Sequence, residues 1–314
     1  MRKVLFILKR ILVMIFTLFV VSFLLFMILR LSGTDPLHVI VGEKQNISEA
    51  AKESIRQQYH LNEPLLVQYG IWLKGAVTGD FGVDYVQKVP VTDLITGRLA
   101  VTIGMVVLSM LLSILIAIPL GIVSALRKNS ALDHIISFLM LVTTSAPGFL
   151  VAMLMLVFLS RVVPGYKSVG TYANTAEFLE RIIAPSLCLA LGNVALIGRV
   201  TRNAMVEQLN SDYIETCKAK GIGYRRMVLS HALKNSIIPV FTISAMLVGA
   251  MIGASVLVEQ IFSLPGLGSL LSTAVLKNNY PVIMALTLII LVIFQVVNLV
   301  ADILYTWIDP RIKL

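Results

Sequence analysis

Charged residues and cysteines are scarce in this chain of 314 residues. Asp, Glu, Lys and Arg together make up 14% of it, against about 25% in an ordinary soluble domain, while apolar residues make up 57%. Its two cysteines, Cys188 in an apolar block and Cys217 in a basic loop, cannot build a disulfide framework. These shortages exclude a soluble globular enzyme, a disordered chain and a disulfide-stabilised secreted scaffold. They favour a helical bundle in a membrane.

The apolar residues fall into six blocks that could each cross a membrane. A spanning helix needs about 20 apolar residues because the hydrocarbon core is about 30 Å thick. None of the six blocks contains Asp, Glu, Lys, Arg or His. The predicted spans are residues 11–29, 101–126, 135–160, 182–198, 237–258 and 282–301. We therefore expect an all-α integral membrane protein with six transmembrane helices.

The basic residues predict the orientation of these spans. With the N-terminus and C-terminus in the cytoplasm, the internal segments carry 15 of the 26 Lys and Arg residues, although they are shorter than the external segments. This distribution follows the positive-inside rule. The net charge of +9 is thereby explained by orientation and does not indicate nucleic acid binding. We divide the chain into residues 1–100, which contain the first span and an external segment over 31–97, and a core of residues 101–314.

Two further features of the spans and the external segment allow more than one interpretation. Ser48–Tyr59 is predicted to form a surface helix that Ser48 caps. In the fifth span, Ala245, Gly249 and Gly253 recur every four residues, a spacing that lets two helix backbones approach closely. Packing within the chain and contact with a second subunit both fit this face.

Polar residues inside the apolar blocks are candidates for a translocation path. The densest group, residues 143–148, places Pro147 in the middle of the third span, where proline removes a helical hydrogen bond. One interpretation is a kinked, polar wall of a passage, and the other is a packing kink whose hydroxyls bond to the backbone. The candidate path residues are Thr143, Thr144, Ser145, Pro147, Asn193 and Gln295.

The longest internal loop, residues 199–236, is basic and internally ordered. Asp212 and Glu215 have the spacing of a capping box, Lys218 and Lys220 suit the negative end of a helix, and Gly221 supplies a left-handed stop. This pattern predicts a short helix over 213–220, and a second helical stretch follows over 224–235. Helices this short are marginal alone, so we expect them to dock on a cytoplasmic partner.

Here the chain resembles a known family. Residues 212–221 and 231–239 are similar to the EAA loop of binding-protein-dependent ABC importer permeases, and more narrowly to the dipeptide/oligopeptide/nickel family on its first-permease, B-type branch. In the general importer loop two alanines follow the glutamate, and this chain has Thr216 and Cys217 instead. The agreeing segments extend over nearly the whole chain: residues 33–36, 61–69, 79–82, 90–91, 262–268, 280–283, 302–305 and 309–311.

The resemblance implies a type I ABC importer permease fold in a bacterial or archaeal cell membrane. It implies three kinds of protein partner besides membrane lipid: a homologous second permease, two cytoplasmic ATP-binding subunits and an extracytoplasmic substrate-binding protein. The substrate would be a peptide, glutathione, or nickel or another metal complex. By the same resemblance, the loop carries a coupling helix seated on the ATPase. The ATPase-coupling candidates are Asp212, Tyr213, Glu215, Lys218, Ala219 and Gly221.

We expect no catalytic residue, metal site or cofactor in this chain. It lacks the phosphate-binding pattern GxxxxGK[ST], so ATP and Mg would belong to partner subunits. Its four histidines form no ligand pair at helical spacing. An ion-coupled carrier and a membrane scaffold are the alternatives. A carrier usually has ionisable residues within its spans, which the six blocks lack, and a scaffold does not explain the ordered internal loop.

Overall fold

The computed structural model describes residues 2–33, 35–42, 48–166 and 174–308, so the motif at residues 309–311 lies outside the described residues. Within these ranges the regular structure is helical, apart from an isolated antiparallel bridge between Val83 and Pro90. The helices, in chain order, are α1 Arg2–Leu31, α2 Pro36–Val41, α3 Glu49–Gln58, α4 Leu65–Thr78, α5 Val91–Leu126, α6 Ala131–Ser145, α7 Gly148–Val162, α8 Thr175–Leu209, α9 Asp212–Ala219, α10 Tyr224–Ile261, α11 Leu267–Leu276 and α12 Tyr280–Ile308.

Five of the described helices are long and apolar enough to cross a membrane. They are α1, α5, α8, α10 and α12, and the pair α6 and α7 makes a sixth span only if the two are counted together. The all-α fold with up to six spans is therefore confirmed. The observed helices run beyond the predicted blocks, because a helix does not end where its apolar run ends.

The predicted third span, residues 135–160 with a kink at Pro147, is divided into two helices. Helices α6 and α7 meet at 98° on either side of Ala146 and Pro147. A residue before proline is driven out of the helical region, and Ala146 is extended, with φ −79° and ψ 126°. The expected kink at Pro147 is thus a complete break between two helices of 15 residues each.

Helix α8 continues past residue 198, where the sequence predicts that the fourth span ends and the internal loop begins. Helix α8 has 35 residues and continues to Leu209, so Arg199 and Arg202 lie on it. The helix continues because Thr201, Ala204 and Met205 extend its buried face beyond the first arginine.

The predicted helical stretch over 224–235 is helical in the structure and forms the beginning of α10, which runs without a gap from Tyr224 to Ile261 and passes Pro239. Its second turn, Met227–Ala232, is a π-helical turn. The predicted loop 199–236 therefore consists of the end of α8, the short α9 and the beginning of α10.

The chain divides into two compact units. The first comprises Met1–Val101 and Pro265–Gln295. Ser48 caps α3 as predicted, since its hydroxyl accepts a hydrogen bond from the backbone N–H of Ala51. Helix α4 lies along α1, where Tyr69 packs against Phe26 and shares a hydrogen bond of 2.9 Å with the Ser22 hydroxyl. Burial raises the pKa of Tyr85, in the loop after α4, to about 12, so this phenol stays neutral.

The second unit comprises Thr102–Leu264 and Val296–Leu314. Within it, α5 and α8 approach closely at two glycines. A Cβ atom on Gly121 would lie 2.6 Å from the carbonyl oxygen of Gly198, and one on Gly198 would lie 2.5 Å from the end of the Met140 side chain. Glycine is needed at Gly121 because a backbone atom of the neighbouring helix occupies the space of its side chain.

Candidate functional site

Helix α9 begins differently from the prediction. Ser211, not Asp212, occupies the N-cap position, and the described contacts include no side-chain cap there. Its hydroxyl donates to the carbonyl of Gln208 instead. Asp212 is the first helical residue, so Glu215 is one position too late for a capping box. Both carboxylates still lie in the first turn, where the helix dipole favours negative charge.

The end of α9 is as predicted. Gly221 has a φ of +70°, and the backbone N–H of Ile222 donates back to the carbonyl of Cys217. An L-residue with a side chain is strained in this left-handed region. The glycine therefore ends the helix sharply and turns the chain towards α10.

One face of α9 is anchored in the second unit. Ile214 is completely buried in a cluster with Met205 of α8 and with Met227 and Val228 of the π turn. The hydroxyl of Tyr213 donates to Oε1 of Gln208 at 2.8 Å. The same hydroxyl accepts a hydrogen bond of 3.1 Å from Nδ2 of Asn235. These contacts tie α9 to both neighbouring helices.

The other face of α9 is open. Its exposed residues are Asp212, Glu215, Thr216, Lys218 and Ala219. The candidate coupling residues therefore fall into two groups. Tyr213 is half-buried and belongs to the anchor, whereas Asp212, Glu215, Lys218 and Ala219 are exposed. A short helix held from behind, with a polar outer face, can receive a partner.

An ion pair that the sequence analysis missed lies close to this loop. Asp133 of α6 is buried, and its two carboxylate oxygens accept hydrogen bonds of 2.8 and 2.7 Å from Nε and Nη2 of Arg202. The Ser124 hydroxyl and the backbone N–H of Asn129 donate to the same carboxylate. The sequence holds one local signal here, the spacing of Ser130 and Asp133 at the start of α6, where Ser130 is the cap, but it does not indicate Arg202 as the partner of Asp133. The cluster joins α5, α6 and α8.

The candidate path residues are divided between the two units. Gln295 belongs to the first unit, and the other five belong to the second. Thr143 and Thr144 donate to the carbonyl of Met140, and Asn193 donates to the carbonyl of Leu189. These contacts match the interpretation in which polar groups bond to the backbone of their own helix.

The small-residue face of α10 is only partly occupied. Gly249 is buried and Ala245 is half-buried, whereas Gly253 is exposed and a Cβ atom there would meet no heavy atom within 4 Å. The first two residues pack within the chain. Gly253 leaves room for a neighbour at the far end of the face.

A buried carboxylate also lies one residue beyond the predicted fifth span. Glu259 of α10 is completely buried and accepts a hydrogen bond of 2.7 Å from Thr102. The absence of ionisable residues therefore holds for the predicted blocks and not for the longer helices observed. Among the described residues, no three His, Cys, Asp or Glu side chains form a group that could hold a metal ion.

Comparison with known families places two matches along the chain. The family described as "Binding-protein-dependent transport system inner membrane component" matches residues 117–314, and its N-terminal companion matches residues 3–106. Together they cover nearly all of the sequence.

Curated relatives and solved structures agree with these matches. The oligopeptide transport system permease AppB of Bacillus subtilis is 38% identical, over 98% of this chain and 99% of its own. The dipeptide permease DppB of Alkalihalophilus pseudofirmus and the glutathione permease GsiC of Escherichia coli K12 are each 35% identical, with 97–98% of this chain covered and 98% of theirs. The MetNI methionine ABC transporter, solved in inward-facing conformations, matches with a TM-score of 0.59 at 19% identity, over 69% of this chain and 96% of that one.

Proposed function

Because this chain belongs to the family of binding-protein-dependent transport system inner membrane components, and so is a multi-pass permease subunit of a bacterial ABC importer, we propose that it imports small peptides. Support comes from relatives over almost the full chain that are named oligopeptide, dipeptide and glutathione permeases. All three names state a substrate that is a short peptide, since glutathione is a tripeptide.

Helix α9 is the element that receives the ATP-binding subunit in this proposal. This role rests on the difference between the two faces of α9. Ile214 is buried on one face, whereas Asp212, Glu215 and Lys218 are exposed on the other. A partner that pulls on the exposed face would move α8 and α10 as well, because Tyr213 is hydrogen-bonded to residues of both. The motion of a nucleotide-driven motor would thus reach the spanning helices through packed contacts.

The remaining partners follow from the importer class. ATP is bound and hydrolysed by two cytoplasmic subunits that carry their own Mg, a second homologous permease completes the path, and an external binding protein delivers and selects the peptide. Gly253, with open space beside it, is a candidate contact with the second permease. Both termini lie in the cytoplasm in this proposal, as the positive-inside distribution of Lys and Arg favours.

Substitution of Gly221 tests the docking role of α9. Gly221→Val forces a β-branched residue to a φ of +70° at a cost of about 2 kcal/mol, so we expect the end of α9 to rearrange. Gly223→Val is the matched control, since Gly223 has a φ of −59° and equally open surroundings. Pull-down of the ATP-binding subunits should fall for Gly221→Val and not for Gly223→Val. Equal recovery with both variants would contradict the docking role.

Uptake by reconstituted vesicles tests the transport proposal itself. The complete importer should accumulate a radiolabelled di- or oligopeptide only when ATP, the ATP-binding subunits and the binding protein are all present. Uptake without the ATP-binding subunits would indicate an ion-coupled carrier instead. Absence of uptake for every ligand that the binding protein holds would indicate a scaffold.

A further inference from the structure

A cavity of about 370 Å³ lies in the first unit, outside the site described above. It is lined by the last turns of α1, by α4, by the beginning of α12 and by the loop after α4. The residues that matter most are Arg30, Gln68, Trp72, Asp80 and Tyr280. Arg30 lies in the last turn of α1, where the first span ends. The cavity therefore lies at the boundary between hydrocarbon and water.

Two residues that line this cavity each have a buried polar atom with no hydrogen-bond partner in the part of the chain that the structure describes. One is Oε1 of Gln68, a residue only 8% exposed, and the other is Nε1 of Trp72. The amide of Gln68 is held in place because its Nε2 donates to the carbonyls of Leu61 and Glu63. Buried polar groups are almost always paired, so an unpaired acceptor and an unpaired donor on two residues that line one cavity point to a bound polar molecule.

The charges of the cavity specify that molecule further. The guanidinium of Arg30 lies 5.4 Å from the ring centre of Phe26 and 6.0 Å from that of Tyr280, which orients this cation. Asp80 supplies a carboxylate, one of whose oxygens accepts a hydrogen bond from the backbone N–H of Gly82. The lining also contains the imidazole of His60 and the phenols of Tyr59, Tyr85 and Tyr280. A ligand with one anionic and one cationic group complements Arg30 and Asp80.

A second, apolar groove lies deeper along the same three helices. Ser22 is the one polar residue among those that line it, and the others are Ile15, Leu18, Phe19, Leu73, Ala76, Val77, Leu288 and Val292. From Arg30 to Phe19 the helix rises about 16 Å. One leaflet of the hydrocarbon core is about 15 Å deep. The groove thus lies at the depth that an acyl chain reaches when its headgroup is beside Arg30.

We propose that the cavity and the groove together bind one phospholipid of the phosphatidylethanolamine type. Its phosphate pairs with Arg30 and accepts from Nε1 of Trp72, and its ammonium group donates to Oε1 of Gln68 and to the Asp80 carboxylate. One acyl chain fills the groove between α1, α4 and α12. A dipeptide carries the same two charges, but it has nothing to fill the apolar groove, so the groove favours the lipid.

Native mass spectrometry of the full-length chain in detergent tests this proposal. Phosphatidylethanolamine is titrated in, with phosphatidylglycerol of the same acyl chains, glycerophosphoethanolamine and dialanine as the other probes. We expect phosphatidylethanolamine to bind more tightly than all three. Arg30→Gln should weaken its binding about tenfold, as the loss of a charged hydrogen bond predicts. Arg161→Gln should leave binding unchanged, since Arg161 is an exposed arginine in the last turn of another apolar helix, α7.

Two milder variants keep the test decisive if Arg30→Gln unfolds the chain. Trp72→Phe removes only the N–H donor, and Ala76→Phe fills the groove; each should weaken lipid binding while thermal melting stays near that of the unchanged chain. Equal lipid binding by these variants and the unchanged chain would overturn the proposal. Displacement of the lipid by dialanine would assign the cavity to a peptide. Binding of glycerophosphoethanolamine as tight as that of the whole lipid would show that no acyl chain occupies the groove, and would overturn that part of the proposal. Failure to retain any lipid would leave water as the occupant and also overturn it.

Discussion

The ion pair between Asp133 and Arg202 illustrates how single residues hold this protein together. The Asp133 side chain is 3% exposed and that of Arg202 is 23% exposed, so both charges have lost most of their water. Their bidentate geometry compensates for this loss, and the Ser124 hydroxyl and the Asn129 amide satisfy the remaining carboxylate positions. The pair joins α6 to α8, one of the two helices to which α9 is tied, although neither residue is exposed on the docking face.

Removal of one partner of this pair should be more harmful than removal of both. Arg202→Gln leaves a buried carboxylate without its counter-ion, and we expect the free energy of unfolding to fall by about 3 kcal/mol. The double variant Asp133→Asn, Arg202→Gln should lose less, because no buried charge is left unpaired. Arg199→Gln is the control, since Arg199 is exposed one turn earlier on α8. Thermal and denaturant unfolding in detergent would measure the order, and equal losses in the single and double variants would contradict it.

At the scale of helices, type was easier to predict from sequence than length. Each apolar block is helical apart from the break at Ala146 and Pro147, and Gly221 ends α9 where its conformational freedom predicts. The beginning of α5 and the end of α8 were missed because buried residues there, such as Val91, Ile95 and Met205, lie among polar ones and are covered by residues of other helices. The break at Pro147 was underestimated as a kink, since the local effect of proline depends on whether a neighbour supports the freed backbone. Likewise, the burial of Ile214 and the pairing of Asp133 with Arg202 require contacts that no local pattern contains.

Two glycines on spanning helices should respond oppositely to a methyl group. Gly121→Ala places a Cβ atom 2.6 Å from both the Gly198 carbonyl oxygen and Cβ of Thr201, so α5 and α8 must separate. Such overpacking costs about 1–3 kcal/mol. Gly253→Ala meets nothing within 4 Å and gains up to about 1 kcal/mol of helix propensity. Melting temperatures of the two purified variants should therefore move in opposite directions, and a loss of stability in Gly253→Ala would show that its surroundings are occupied within the chain.

At the scale of the whole molecule, the described helices suit a subunit that is incomplete alone. A permease has to surround its path with polar groups, yet the candidate path residues Thr143, Thr144 and Asn193 donate to carbonyls of their own helices. The exposed face of α9 and the open side of Gly253 are two separate surfaces with room for neighbours. This arrangement is consistent with a path that is completed by a second permease and opened by a separate motor.

Labelling of two exposed positions should establish the orientation of the molecule. In a background with Cys188→Ala and Cys217→Ala, Ser54→Cys on α3 should react with a membrane-impermeant maleimide on intact cells. Thr216→Cys on α9 should react only after the membrane is permeabilised. Both positions are exposed in the structure, so accessibility to the reagent depends on the side of the membrane. The reverse pattern would invert the proposed topology and remove α9 from the reach of a cytoplasmic ATP-binding subunit.

The π turn at Met227–Ala232 has a mechanical consequence for α10. A π turn carries one more residue than an α turn, and such turns within α-helices often coincide with functional sites. Here the turn packs directly on α9 through Met227 and Val228. Because α10 continues unbroken to Ile261, it can behave as one rigid helix, with the wider π turn at the point where it contacts α9. We expect a force applied at α9 to rotate α10 about its long axis as far as Ile261, and the π turn to absorb part of the twist.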